Sequence, residues 1–155
     1  MTDFSDVLRP DTVLAHVSAP TKKHLFQALA TAAGEAYGLD PRGVAETLAE
    51  REKLGSTGFG GGTAIPHGRV EGLDRVVGVV AQLAQPIDYQ AIDDLPVDLA
   101  FMLLSPPQAG ADHLKALARV SRSLRDKGFV AKLRGAGQPD ALYALLTDAE
   151  TRDAA

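Results

Sequence analysis

Two stretches of the chain are almost continuously apolar: Val76-Val77-Gly78-Val79-Val80-Ala81-Gln82-Leu83 and Val97-Asp98-Leu99-Ala100-Phe101-Met102-Leu103-Leu104. Runs of this length without polar alternation suit β-strands covered on both faces. A shorter run over 13–17, closed by Ser18-Ala19-Pro20, predicts an earlier strand. Elsewhere the apolar residues recur at helical spacing. Leu25, Ala28, Leu29, Ala32, Ala33 and Ala36 share one face of a helix that Thr21 caps and Gly38 stops. Asp40 before Pro41 opens a second helix, because a proline in the first turn has no N–H to lose. In that helix Val44, Leu48 and Arg51 fall on one stripe, which places a cation on the inward face. Asp112 is the expected cap of a third helix, with His113, Leu117, Val120 and Leu124 on one side, and shorter helices are expected near 128–134 and 138–147.

Between these elements, 55–62 carries too many glycines for helix or strand, and 63–67 follows as one short extended piece. Pro66 there favours a sheet edge or a strand end. The stretch from 63 to 104 has no room for helices between its strands, so the sheet is expected to be mixed. The fold class is therefore α/β: a three-layer α/β/α sandwich around a small mixed β-sheet. One domain is expected over 1–147, and 148–155, which carries no apolar period, is expected to be a flexible C-terminal tail.

Composition narrows the function. Sixteen Lys and Arg against twenty Asp and Glu give a net charge of -4, which argues against non-specific nucleic-acid binding, since that needs a basic footprint. The absence of cysteine removes disulfides, thiolate zinc sites and cysteine nucleophiles. The first residues have neither a basic start nor an apolar core, and no apolar run approaches the roughly 20 residues that span a bilayer. The expectation is a cytoplasmic protein without membrane insertion.

The glycine run lacks the GK[ST] ending of a P-loop, and it precedes a strand, whereas a dinucleotide fingerprint follows one. Gly55-Ser56-Thr57-Gly58 is not a G-x-S-x-G elbow. None of the four histidines has local metal-ligand spacing, and no paired acidic motif near His67 suggests magnesium, so neither metal nor cofactor is expected. His67, between Pro66 and Gly68 at a strand end, is a turn histidine or a reacting group that a partner can approach closely. His113, in the first turn of its helix, closes the core stripe or faces an anion at the positive helix end. Arg51 lies along the surface or points at an anion beside the glycine loop. His16 and His24 have no such context. An arginine, a run of backbone N–H groups and two histidines together suggest phosphate chemistry, in which a neutral imidazole attacks a phosphoryl group.

The segment R51-E-K-L-G-S-T-G-F-G-G-G-T-A-I-P-H-G-R69 resembles the enzyme IIA family of the bacterial phosphoenolpyruvate-dependent phosphotransferase system, fructose/mannitol type, and within it the nitrogen-regulatory members. Further matches are 86–93, Pro96-Val97-Asp98-Leu99 and Asp112-His113-Leu114-Lys115-Ala116-Leu117. The resemblance implies that His67 accepts the phosphoryl group, that His113 stabilises it, and that Arg51 lies beside the acceptor. It implies an HPr-like phosphocarrier as donor and regulatory targets such as potassium-transport regulators or sensor kinases. The alternative it leaves is a sugar-specific subunit passing phosphate to a permease-linked IIB. Two positions depart from the family pattern, Gly61 for the usual asparagine and Arg69 for the usual lysine. Phe59, a large apolar residue between glycines, is either tucked inward or offered to a partner.

Overall fold

The computed structural model describes residues 3–147; the tail expected at 148–155 lies outside the described residues. The chain runs β1 (Val13–Val17), α1 (Lys22–Tyr37), α2 (Pro41–Lys53), β2 (Gly58–Gly60), β3 (Thr63–Ala64), β4 (His67–Arg69), β5 (Val77–Ile87), β6 (Val97–Ser105), α3 (Ala111–Arg125), α4 (Lys127–Gly135) and α5 (Pro139–Thr147). The strand order is β1-β5-β6-β3-β2, with β4 also paired to β6. The β1–β5, β3–β6 and β4–β6 pairs are parallel, and β5–β6 and β2–β3 are antiparallel, so the sheet is mixed as expected.

The apolar runs of β5 and β6 exist because each face has its own core. Along β6, Ala100, Met102 and Leu104 point to the cluster under α1 and α2, where Leu25, Phe26, Leu29, Val44 and Leu48 are buried. The alternate residues Leu99, Phe101 and Leu103 point to the opposite cluster, with Val120, Leu124, Leu133, Leu142 and Leu146 of α3, α4 and α5. Side chains alternate across a strand, so one continuous run feeds two cores. This is the three-layer α/β/α sandwich. Thr21 caps α1 by accepting from the His24 N–H, and Gly38 ends it at φ 70°, a left-handed value that glycine adopts without strain. Asp40 caps α2 ahead of Pro41.

Four expectations need correction. The extended piece at 63–67 is two strands, β3 and β4, which lie along β6 on either side of Ile65 and Pro66. The glycine segment contains a strand, β2, despite its composition. Its backbone pairs with β3, and the segment 89–91 packs so closely that a Cβ at Gly58 would lie 2.7 Å from Ala91 Cβ and 2.9 Å from Tyr89 Cδ1. Glycine is used there for close approach, not for flexibility. The cap of α3 is Gly110, at φ 54°, with Asp112 inside the first turn; the short Ala109-Gly110 turn leaves Asp112 no room to sit outside the helix. Along α1, Phe26 and Ala30 are buried while Ala28, Ala32 and Ala36 are only half-buried, because the buried face turns toward Tyr89 and α2. A Gly58→Ala substitution forces overlap with Ala91 and Tyr89 and is expected to cost about 1–3 kcal/mol. The measurement is the thermal midpoint, which should fall by several degrees; an unchanged midpoint would show that 89–91 can retreat freely.

Candidate functional site

His67 is the first residue of β4 and pairs with Leu103 of the central strand β6. A parallel ladder on β6 fixes its backbone, and Gly68 follows because a Cβ there would collide with the Thr47 methyl of α2. Pro66, just before, uses its carbonyl to accept from the Leu103 N–H. The imidazole is 9% exposed. Its Nδ1 lies 2.8 Å from the Ile65 carbonyl oxygen, which can only accept, so Nδ1 carries the ring proton. Nε2 is left with a lone pair, and Arg51 Nε donates to it at 3.3 Å. Arg51 is itself held, since its Nη1 donates to the Gly55 carbonyl at 2.8 Å. Burial lowers the pKa of His67 below the usual 6.5, and the Arg51 charge adds to the effect against the opposing Ile65 contact. The ring is a neutral base whose remaining lone pair, on Nε2, faces a cation.

His113 approaches from the other side of the sheet, in the first turn of α3, with its ring centre 5.7 Å from that of His67. It is 5% exposed, and burial, then the charges of Arg69 and His67, lower its pKa to about 4. The structure thus brings together the three residues named from the sequence: Arg51 from one helical layer, His113 from the other, and His67 on the sheet between them. His16 and His24 lie elsewhere and are exposed, His24 bonded to the Thr21 cap. Among the described residues no group of His, Cys, Asp or Glu is placed to hold a metal ion. No helix among them is long and apolar enough to cross a membrane.

Sequence reasoning missed the supports of this constellation. Glu52, beside Arg51, accepts from the Thr57 N–H and hydroxyl and from Lys22 Nζ, and so pins both ends of the loop that supplies the Gly55 carbonyl. Burial alone would raise its pKa, but hydrogen bonds from Thr57, Lys22 and Ser56 more than offset this and lower it. Tyr89, fully buried, closes the cluster with its hydroxyl 2.7 Å from Thr57 Oγ1 and Lys22 Nζ 4.7 Å from its ring centre. Ser105 Oγ lies 2.6 Å from His113 Nδ1. A glutamate in the last turn of a helix and a threonine five residues on in a glycine loop carry no periodic signal, and Ser105 reads only as a strand end. Tyr89 stood inside a matched motif but had no role to suggest.

The departures from the family pattern have physical accounts. Gly61 sits at φ 68°, its N–H donating to Asp93 Oδ2 and its carbonyl accepting from Arg134. Asparagine is among the few other residues that tolerate this conformation, so the exchange keeps the backbone and removes only a side chain. Arg69 keeps its positive charge close enough to lower the pKa of His113. Phe59 is half exposed on the rim of a groove lined by Ile65, Leu124 and Val130, so it is offered outward.

Both imidazoles have lowered pKa values, so the unfolded chain binds protons more readily as pH falls below 6.5. Their contribution to stability is fully present above that value and is lost progressively toward about 4 for His113. The urea midpoint is therefore expected to be lower at pH 5 than at pH 7, and His113→Gln should flatten this dependence. A slope unchanged in His113→Gln would remove His113 from the account.

The mixed sheet between two helical layers, with a buried histidine at the start of β4, has the fold of IIA domains of known structure. The crystal structure of nitrogen regulatory protein IIA-Ntr from Neisseria meningitidis matches with a TM-score of 0.86 and 32% identity, over 92% of this chain and 97% of that one. The family model described as phosphoenolpyruvate-dependent sugar phosphotransferase system, EIIA 2, matches residues 6–149, and the chain belongs to that family. A nitrogen regulatory protein of Bradyrhizobium diazoefficiens is 46% identical over 92% of this chain and 94% of its own length. A fructose-specific EIIA component of the phosphotransferase system from Haloferax volcanii is 32% identical over 96% of this chain and 97% of its own.

Proposed function

We propose that this protein is a cytoplasmic, nitrogen-regulatory phosphocarrier that accepts a phosphoryl group on His67 from an HPr-like protein and regulates partner proteins according to its phosphorylation state. The observation that carries the chemistry is the pair of contacts on the His67 ring: Nδ1–H donates to the Ile65 carbonyl, which leaves the Nε2 lone pair as the nucleophile. The Nε2 lone pair forms a bond to the donor's phosphorus while the donor's nitrogen–phosphorus bond breaks and its electron pair returns to that nitrogen. His67 loses no proton in this step. Its ring becomes a cation whose Nδ1–H already faces the Ile65 carbonyl. Arg51 turns from Nε2 to the phosphoryl oxygens, and His113 donates to them from the opposite layer. Positioning and charge stabilisation are the protein's whole contribution.

The regulatory reading rests on the nitrogen regulatory relatives, which the chain matches over nearly their full length. Potassium-transport regulators and sensor kinases are the target classes it proposes. The fructose-specific relative favours a second reading, a subunit that hands phosphate to a permease-linked IIB. The test is incubation with phosphoenolpyruvate, enzyme I and the cognate HPr-like carrier, followed by intact mass at neutral or alkaline pH because phosphohistidine is acid-labile. One phosphoryl group is expected. No gain would refute the carrier role, and rapid onward transfer to a sugar-specific IIB would favour the second reading.

A further inference from the structure

Ser105 is the last residue of β6 and has no solvent-exposed surface. We propose that it is a positioning residue, whose hydroxyl donates to Nδ1 of His113 and so fixes the tautomer that carries the ring proton on Nε2, available to the His67 site. The inference follows from counting protons. The contact between Ser105 Oγ and His113 Nδ1 is 2.6 Å long, so one hydrogen lies between the two atoms. Among the described residues Ser105 Oγ has no other hydrogen-bond partner. If His113 Nδ1 were the donor, the serine hydroxyl proton would be buried without an acceptor, a costly arrangement. It would also turn a lone pair of His113 Nε2 toward the anion site. With Ser105 as donor every proton is used, and the ring keeps an N–H on the side away from the serine, with the His67 ring centre 5.7 Å distant.

The backbone makes the arrangement rigid. Ser105 pairs with Arg69 in the ladder that pairs Leu103 with His67, and its carbonyl accepts from the Val70 N–H. The acceptor histidine and the group that orients its neighbour are therefore carried by two paired strands, two rungs apart. A serine gives His113 one fixed donor where an apolar residue would leave the ring free to take either tautomer.

The consequence for phosphate transfer rests on the function proposed above; the tautomer does not, and it can be measured in the unmodified protein. Long-range proton–nitrogen NMR of the full chain, with His113→Gln to assign the signals, is expected to show His113 protonated on Nε2. Ser105→Ala should give a mixture of tautomers, and Ser105→Thr, which keeps the hydroxyl, should restore the single form. Phosphoryl transfer from the HPr-like donor should slow in Ser105→Ala by roughly three- to tenfold, the scale of one lost neutral hydrogen bond, and recover in Ser105→Thr. An Nδ1-protonated His113 in the wild type would overturn the proposal, as would a Ser105→Ala protein with the same tautomer and the same rate. If Ser105→Ala fails to fold, the wild-type and Ser105→Thr spectra still decide. A wild type that takes no phosphate would refute the carrier role and leave the tautomer result standing.

Discussion

A His67→Ala protein is expected to take up no phosphoryl group from its phosphorylated donor, while the wild type gains one. No other histidine can substitute for it. Nδ1 of His113 is engaged by Ser105, and His16 and His24 are exposed and outside the His67 cluster. The variant should fold, because the ring is held by one main-chain contact and one arginine and is not part of either apolar cluster. Intact mass at alkaline pH and far-ultraviolet circular dichroism check both halves. Label persisting in a folded His67→Ala protein would sink the assignment of the acceptor.

The second large effect concerns His113. His113→Ala is expected to slow transfer in both directions by about 10²–10³, the loss seen when one hydrogen-bond donor to a developing anion is removed from a dry site. The contribution is electrostatic, so the covalent product should still form, only slowly, and still on His67. Rapid-quench measurement of transfer from the donor and back gives both rates. A loss in one direction only would mean that His113 serves donor docking; rates equal to wild type in a folded protein would make it a packing residue.

Much of the fold could be read from the chain because its strongest signals concern burial. The unbroken apolar runs of β5 and β6 announced two-sided cover, and Thr21, Gly38, Asp40 and Pro41 marked helix ends with residues whose conformational preferences leave little choice. The site was legible for a different reason. His67, Arg51 and His113 are residue types that need a justification when they fall on an inward stripe or at a glycine-flanked strand end, and the match to a known family supplied one. What escaped was set by tertiary contact. The strand at Gly58 depends on how closely Tyr89 and Ala91 approach, and the split of β3 from β4 depends on how Ile65 and Pro66 pass Leu103. Likewise the Glu52–Thr57–Tyr89 cluster joins residues whose pairing no spacing rule records.

The three site groups come from two helical layers and the sheet between them, and the chain makes them in a fixed order. Arg51 and His67 leave the ribosome before β5 and the central strand β6, and His113 only after both. Domains of this size form their long-range contacts late, once the pairing strands are available. A growing or partly assembled chain therefore has the His67 ring without the ladder that aims it and without the second imidazole. Under the proposed function such a chain is expected to be a poor substrate for the donor, so that phosphate would go to molecules that have finished folding.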